Sequence, residues 1–215
     1  DSQGTGSVTT DASGKGALVN YPGATATISG GTFKATGWYT LKNLGTMTIN
    51  SGATITTTTG GSSLIDNGWY GSAGNDRNEA YGSSSPVLTI NGGNFSGGMN
   101  TVKNDDYATV NILGGTFRNT SGPTVLNWHI ANISGGDFSV PKGAVIANGY
   151  LSETADKGEL NISGGTFTAG NGGTDILLAY GVGGQDGGTL SITGGEFNGQ
   201  MIDDDNSDLP YNVVV

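Results

Sequence analysis

Hydrophobic and polar residues alternate in short segments that recur along almost the whole chain. Each segment has two apolar positions separated by one small polar residue, and it ends in Ile. Such strict alternation is the pattern of a β-strand with one dry face and one wet face. It predicts one strand at each of the apolar pairs, which are Ala26/Ile28, Met47/Ile49, Leu88/Ile90, Val110/Ile112, Ala131/Ile133, Leu160/Ile162 and Leu190/Ile192.

The motif Ile-x-Gly-Gly-x-Phe follows most of these strands. A degenerate copy at Ile49 keeps the turn but has Ile55 in place of Phe. Glycine reaches positive φ without a Cβ clash, so the Gly-Gly pair predicts a corner. The Phe is then predicted to point back inside, where stacked rings fill the core. The full copies begin at Ile28, Ile90, Ile112, Ile133, Ile162 and Ile192.

A second short apolar strand, ending in Asn, follows each motif. Asn tolerates the left-handed backbone conformation, and stacked Asn amides can hydrogen-bond along a ladder. The last turn breaks this pattern with Ala179. The ladder positions are Asn20, Asn43, Asn67, Asn104, Asn127 and Asn148.

These repeats predict an all-β fold, a parallel β-helix (β-solenoid) of about seven to eight coils. A single unit of about 21 residues cannot bury its own apolar face, whereas stacked copies bury a continuous core. An antiparallel sandwich is the alternative, but it does not explain the constant strand-corner-strand order. One domain is predicted over 1–215, with a cap or linker at 1–16, coils over 17–203 and a second cap or linker at 204–215.

Length variation is concentrated at one corner of the predicted coil. The spacing from each motif Ile to the next ladder Asn is 14 to 18 residues, whereas the spacing from ladder Asn to the following Ile ranges from 6 to 23. The longest insertion runs from Gly68 to Pro86. Insertions on a repeat scaffold tend to mark its binding face.

Aromatic and acidic residues cluster at this insertion corner. Sugar rings stack on Trp and Tyr, and carboxylates accept hydrogen bonds from hydroxyl groups. A ligand-binding stripe is therefore predicted, although the same aromatics could instead fold the loop onto the solenoid or shield its core. The predicted ligand-binding residues are Trp69, Tyr70, Asp105, Asp106, Tyr107, Trp128, His129 and Tyr150.

Charge and composition narrow the possible partners and the location. Eighteen acidic against eight basic residues give a net charge of −10, and the basic residues are not clustered. Nucleic-acid binding is therefore not expected. No apolar run approaches the roughly 20 residues that span a bilayer, so direct membrane insertion is not expected either. Cysteine is absent, which excludes disulfides and thiolate metal sites and fits a bacterial or viral exported protein.

The Ile-x-Gly-Gly-Thr-Phe units and their following Asn residues resemble the right-handed parallel β-helix repeats of bacterial, especially Gram-positive, surface proteins. These proteins share the architecture of the pectate-lyase-like superfamily. The resemblance covers roughly residues 17 to 203 and implies an extracellular or cell-surface adhesin or stalk. A glycan or a host-surface ligand would be its partner.

The resemblance also implies two enzyme alternatives, a lyase or a glycoside hydrolase. Lyases of this architecture use Ca²⁺ held by acidic residues, and neither Arg77 nor Arg118 sits in such a cluster. The related hydrolases use paired Asp residues with Gly-His-Gly and Arg-x-Lys segments. Asp105-Asp106 supplies a pair, but His129 lies in Asn-Trp-His-Ile and Arg-x-Lys is absent.

We therefore expect no catalytic residue, no metal and no cofactor. The leading hypothesis is a non-enzymatic extracellular β-helix module with carbohydrate binding at the insertion corner. A polysaccharide-degrading enzyme and a phage tail or capsid fibre are the alternatives.

Overall fold

The computed structural model of this protein describes residues 5–68, 85–105, 107–120, 122–149, 158–170, 175–180, 188–204 and 212–214. This part of the chain forms 22 strands and no helix. In chain order the strands are β1 (Ser7–Thr10), β2 (Leu18–Asn20), β3 (Thr25–Ala35), β4 (Leu41–Asn43), β5 (Thr46–Thr57), β6 (Ile65–Asn67), β7 (Val87–Ile90), β8 (Asn94–Ser96), β9 (Val102–Asn104), β10 (Thr109–Ile112), β11 (Thr116–Arg118), β12 (Val125–Asn127), β13 (Ile130–Ile133), β14 (Asp137–Val140), β15 (Ile146–Gly149), β16 (Glu159–Ile162), β17 (Thr166–Ala169), β18 (Asp175–Tyr180), β19 (Thr189–Ile192), β20 (Glu196–Asn198), β21 (Gln200–Asp204) and β22 (Asn212–Val214).

The strands stack in parallel and form three faces of a coil. The Ile face consists of β3, β5, β7, β10, β13, β16, β19 and β22, and the Asn face of β2, β4, β6, β9, β12, β15, β18 and β21. The Phe face consists of β1, β3, β5, β8, β11, β14, β17 and β20; the long strands β3 and β5 run through two faces. The prediction of an all-β parallel β-helix is confirmed.

The register of the strands aligns the repeated apolar residues in rows. On the Ile face Ile90 pairs with Ile112, which in turn pairs with Ile133. On the Phe face the rings from Phe95 to Phe197 stack with centroids 4.6–5.0 Å apart and planes within 10° of parallel. The rings of Phe95, Phe117, Phe138 and Phe167 are fully buried, so the predicted Phe core is present.

Each glycine of the corner pair has its own reason to be glycine. Gly136 has φ of 116°, a conformation that other residues rarely adopt. A Cβ on Gly135 would lie 2.4 Å from the carbonyl oxygen of Leu113 on the preceding coil. The first glycine therefore permits close stacking of coils, and the second permits the change of chain direction.

The predicted Asn ladder is present inside the corner that ends the Asn face. Each Nδ2 donates to the Oδ1 of the next Asn, at 2.7–2.8 Å, from Asn20 through Asn43, Asn67, Asn104 and Asn127 to Asn148. The same amides also donate to backbone carbonyls; Asn104, for example, bonds Ala108 O and Ile130 O at 3.0 Å. Asn43, Asn67, Asn104, Asn127 and Asn148 are fully buried.

The ladder asparagines do not use the left-handed conformation that Asn tolerates. They lie at strand ends with extended backbone, and among the described non-glycine residues only Tyr107 has a positive φ, 64°. The asparagines therefore hold the corner through their side-chain amides and not through their backbone conformation.

Strands also form near both ends of the chain. Strand β1 pairs with the Phe-face half of β3, and β22 pairs with β19. Both lie within the segments that the sequence analysis assigned to caps or linkers.

Candidate functional site

The outer surface of the Asn face carries an unusual row of side chains. Each three-residue strand there has two inward residues and one central residue that faces outward. The central residues of β4, β6, β9 and β12 are Lys42, Asp66, Lys103 and Leu126, which pair in register from coil to coil. Charges of alternating sign therefore stack on three successive coils.

These charged residues are buried although they lie outside the core. Lys42 is 6% exposed, Asp66 0% and Lys103 5%. Aromatic rings account for part of this cover, because Lys103 Nζ lies 4.0 Å from the ring centroid of Trp128 and Lys42 Nζ lies 5.1 Å from that of Tyr39. Both distances fall within the range of a cation–π interaction.

Two ion pairs join the charged side chains. Lys42 Nζ contacts Asp66 Oδ2. Lys103 Nζ lies 2.6 Å from Oδ1 of Asp105, which follows β9 and is fully buried. Asp105 is anchored to the neighbouring coil because its backbone N–H donates to Asn67 O at 2.8 Å. We call Lys42, Asp66, Lys103 and Asp105 the ionic cluster.

The carboxylates of the ionic cluster are incompletely hydrogen-bonded. Within the described part of the chain, Asp66 Oδ1 and both oxygens of Asp105 are buried side-chain atoms without a hydrogen-bond partner. The close approach of Lys103 to Asp105 is an ion pair whose direction does not make a hydrogen bond. Buried polar groups are normally satisfied, so three such atoms in one cluster require an explanation.

A retained proton supplies part of that explanation. Burial raises the pKa of Asp105 well above its usual value, and the negative charge of nearby Asp66 raises it further, while Lys103 opposes both effects. Asp105 therefore keeps its proton at pH values where a solvated aspartate is ionised. A protonated Asp105 can donate a hydrogen bond to Asp66, which is within hydrogen-bonding reach.

A surface cleft of about 350 Å³ adjoins the ionic cluster. We call it the aromatic cleft, since Tyr39 and Trp128 are on its wall together with Lys103. Its volume is within the range of small-ligand sites, and it combines aromatic, apolar and polar groups. The other described residues that line it are Gly61, Ser62, Ser63, Met99, Asn100 and Leu126.

The predicted ligand-binding residues fall into three groups. Asp105 and Trp128 both contact Lys103, Asp105 in the ionic cluster and Trp128 on the cleft wall; Trp128 is only 4% exposed. Tyr107 and His129 form a separate pair with ring centroids 6.5 Å apart, and His129 Nδ1 lies 2.9 Å from Ala108 O. The third group, Trp69, Tyr70, Asp106 and Tyr150, lies outside the described residues.

Sequence reasoning missed Lys42, Asp66, Lys103 and Tyr39. A signal for the first three was present, because the residue before each ladder Asn is Lys, Asp and Lys in three successive units. Outward strand positions are ordinarily solvated, so alternating charges there suggest only a polar surface. The burial of the row comes from residues elsewhere in the chain.

Neither a metal cluster nor a membrane-spanning helix was found in the described ranges. They contain no group of three or more His, Cys, Asp or Glu side chains that could hold a metal ion. No helix among them is long and apolar enough to cross a bilayer.

Comparisons with protein-family models, curated proteins and solved structures found no match to this chain. The fold defines its class, a parallel β-helix.

Proposed function

We propose that this chain is a non-enzymatic extracellular β-helix module that serves as a stalk or adhesive surface and binds carbohydrate in the aromatic cleft. The observation that carries the proposal is the composition of the cleft wall. Tyr39 offers partly exposed aromatic surface beside the buried Trp128 ring, and Ser62 offers a hydroxyl group next to Ser63 and Asn100, which are buried and hydrogen-bonded to each other at 3.2 Å. A sugar needs both, because its faces are apolar and its edge carries hydroxyls.

The scaffold suits the stalk or adhesin role. Eight strands per face at a spacing of about 4.8 Å give a stack roughly 35 Å long. Cooperative stacking of coils makes such a rod stiff along its axis. The repeats resemble those of bacterial surface proteins, which supports placement on a cell surface or, alternatively, on a viral particle.

The burial of the acidic residues favours binding over catalysis. A catalytic acid or base has to reach the substrate within hydrogen-bonding distance. Asp66 and Asp105 are fully buried, and neither is among the described residues on the cleft wall. The enzyme alternative predicts release of reducing ends or unsaturated products from polysaccharides, and we expect neither.

A glycan array probed with the purified chain tests the binding proposal, followed by calorimetric titration of any glycan that binds. Ser62→Trp fills the aromatic cleft without removing a buried core residue, because Ser62 is only partly buried. We expect this variant to lose at least tenfold in affinity.

The matched control is Asn94→Trp, which places the same ring on the exposed outer surface of the Phe face. It should bind like the wild type. Absence of binding to any glycan would contradict the proposed function, and equal binding by both variants would exclude the cleft as the site.

A further inference from the structure

We propose that Lys42 and Asp66 become joined by an intramolecular amide bond between Lys42 Nζ and Asp66 Cγ, with Asp105 as the proton-transferring catalytic residue. The chain would form this covalent bond without an enzyme or an external reagent. It would link strands β4 and β6 on consecutive coils, where Lys42 and Asp66 are register partners.

The geometry brings the two reacting groups together. Lys42 Nζ contacts Asp66 Oδ2, and both side chains are buried. Holding two groups in contact can correspond to effective concentrations of about 10⁵–10⁸ M, which lowers the barrier to amide formation. Burial also keeps bulk water from the amide after it forms.

The ion pair is a poorly stabilised alternative to the amide. A buried ion pair is favourable only when further hydrogen bonds satisfy the remaining lone pairs. Asp66 Oδ1 has no hydrogen-bond partner in the described structure. Amide formation removes both charges and leaves one neutral carbonyl and one N–H.

Asp105 is placed to move the protons that this reaction requires. It is fully buried and within hydrogen-bonding reach of Asp66, and its carboxyl oxygens have no other hydrogen-bond partner in the described structure. Burial and the charge of Asp66 raise its pKa, which keeps an acidic proton beside the Asp66 carboxyl group. A carboxyl group poised in this way can act as general acid and then as general base.

The reaction balances without an external reagent. A proton first passes from Lys42 to Asp66 within their contact, which leaves an amine and a carboxylic acid. The amine nitrogen adds to Asp66 Cγ, and Asp105 donates its proton to the hydroxyl that departs as water. Asp105 then recovers the proton that the nitrogen loses. One C–N bond forms, one C–O bond breaks, one water is released, and no electrons are transferred.

The second buried lysine supplies a comparison within the same cluster. Lys103 approaches Asp105, but the two residues are separated by one position on the same segment, and Lys103 also lies over the Trp128 ring. An amide there would close only a small local ring. Lys42 and Asp66 instead lie on two consecutive coils, and an amide between them would link those coils. We therefore assign the bond to that pair.

Mass spectrometry of the denatured full chain tests the proposal. We expect an intact mass lower than calculated by one water molecule. Lys42→Arg and Asp66→Ala should show the full calculated mass, and Asp105→Asn should form the bond slowly or not at all. Lys142→Arg, on an exposed turn away from the ionic cluster, is the matched control and should keep the deficit.

Peptide mapping locates the bond. Trypsin should fail to cut after Lys42, and further digestion with chymotrypsin should yield a branched peptide joining Lys42 to Asp66. The full calculated mass with normal cleavage after Lys42 in the wild-type chain would overturn the proposal, whether or not the variants fold. A deficit that persists in Lys42→Arg, or a branch at Lys103, would overturn it equally. A folded Asp105→Asn chain that forms the bond at the wild-type rate would remove the role of Asp105.

Discussion

The Asn ladder and the ionic cluster are two rows of buried polar side chains on the same short strands, yet their hydrogen bonding differs. Every amide from Asn20 to Asn127 donates to the next Asn and to the backbone. In the ionic cluster three carboxylate oxygens lack a hydrogen-bond partner. A fully satisfied polar network rigidifies a fold, whereas a partly satisfied one marks strain or chemistry. The comparison therefore separates a structural row from a candidate reactive one.

The largest expected effect comes from breaking the ionic cluster at Lys42. In Lys42→Met the buried Asp66 carboxylate has neither a counter-charge nor the proposed amide link, which should lower the free energy of unfolding by at least about 3–5 kcal/mol. Urea unfolding followed by circular dichroism measures it.

The double variant Lys42→Met/Asp66→Leu is the control for this first prediction. It removes both charges, so we expect it to recover the part of the loss that comes from the unpaired charge but not the part that comes from the missing amide link. A double variant as unstable as the single one would show that the unpaired charge contributes little.

Breaking the Asn ladder should cost somewhat less. Asn104→Asp replaces an amide that donates to Asn127, Ala108 O and Ile130 O by a group that can only accept when ionised. We expect a loss of about 2–3 kcal/mol in unfolding free energy because buried acceptors then face each other.

Asn132→Asp provides the matched control for the ladder. Asn132 forms similar amide bonds with Asn111 and Asn161, at 2.9 and 3.0 Å, but on the partly exposed outer surface of the Ile face. Its replacement should change the stability by less than about 0.5 kcal/mol. Equal losses for Asn104→Asp and Asn132→Asp would mean that burial is not what makes the ladder important.

Titration of Asp105 should make the stability depend on pH in a direction opposite to that of most carboxylates. Its pKa is raised in the folded state, so the folded protein binds this proton more tightly than the unfolded chain does. The contribution is complete below the unfolded pKa and is lost as pH rises through the folded pKa, with a slope of up to about 1.4 kcal/mol per pH unit.

Thermal unfolding across pH 4 to 9 would check this, with Asp105→Asn expected to flatten the slope. An unchanged pH profile in a folded Asp105→Asn chain would contradict the assignment of the proton to Asp105.

The smallest change in unfolding free energy is expected when the Trp128 ring that covers Lys103 is replaced. Trp128→Phe keeps an aromatic face over Lys103 but weakens the cation–π interaction, so we expect a loss of about 0.5–1 kcal/mol. Denaturant midpoints for Trp128→Phe and Trp128→Leu measure it. A larger loss in the phenylalanine variant than in the leucine variant would exclude the cation–π interaction as a source of this stability.

Much of the fold could be predicted because the same pattern of alternating apolar residues and Gly-Gly corners occurs in nearly every repeat. The motif Ile residues, the Phe row from Phe95 to Phe197 and the Asn ladder all occupy the predicted register. The candidate site was predicted only in part. Asp105 and Trp128 were selected as surface groups of an insertion corner, whereas both are buried against Lys103.

The sequence by itself determined the strand order, the parallel stacking and the identity of the core rows, because apolar periodicity and Gly-Gly corners are local signals repeated in register. Only the tertiary structure decided that Lys42, Asp66, Lys103 and Asp105 share a dry environment. Burial of an outward strand position depends on residues far away in the chain, such as Trp128 over Lys103, and no local pattern encodes that contact.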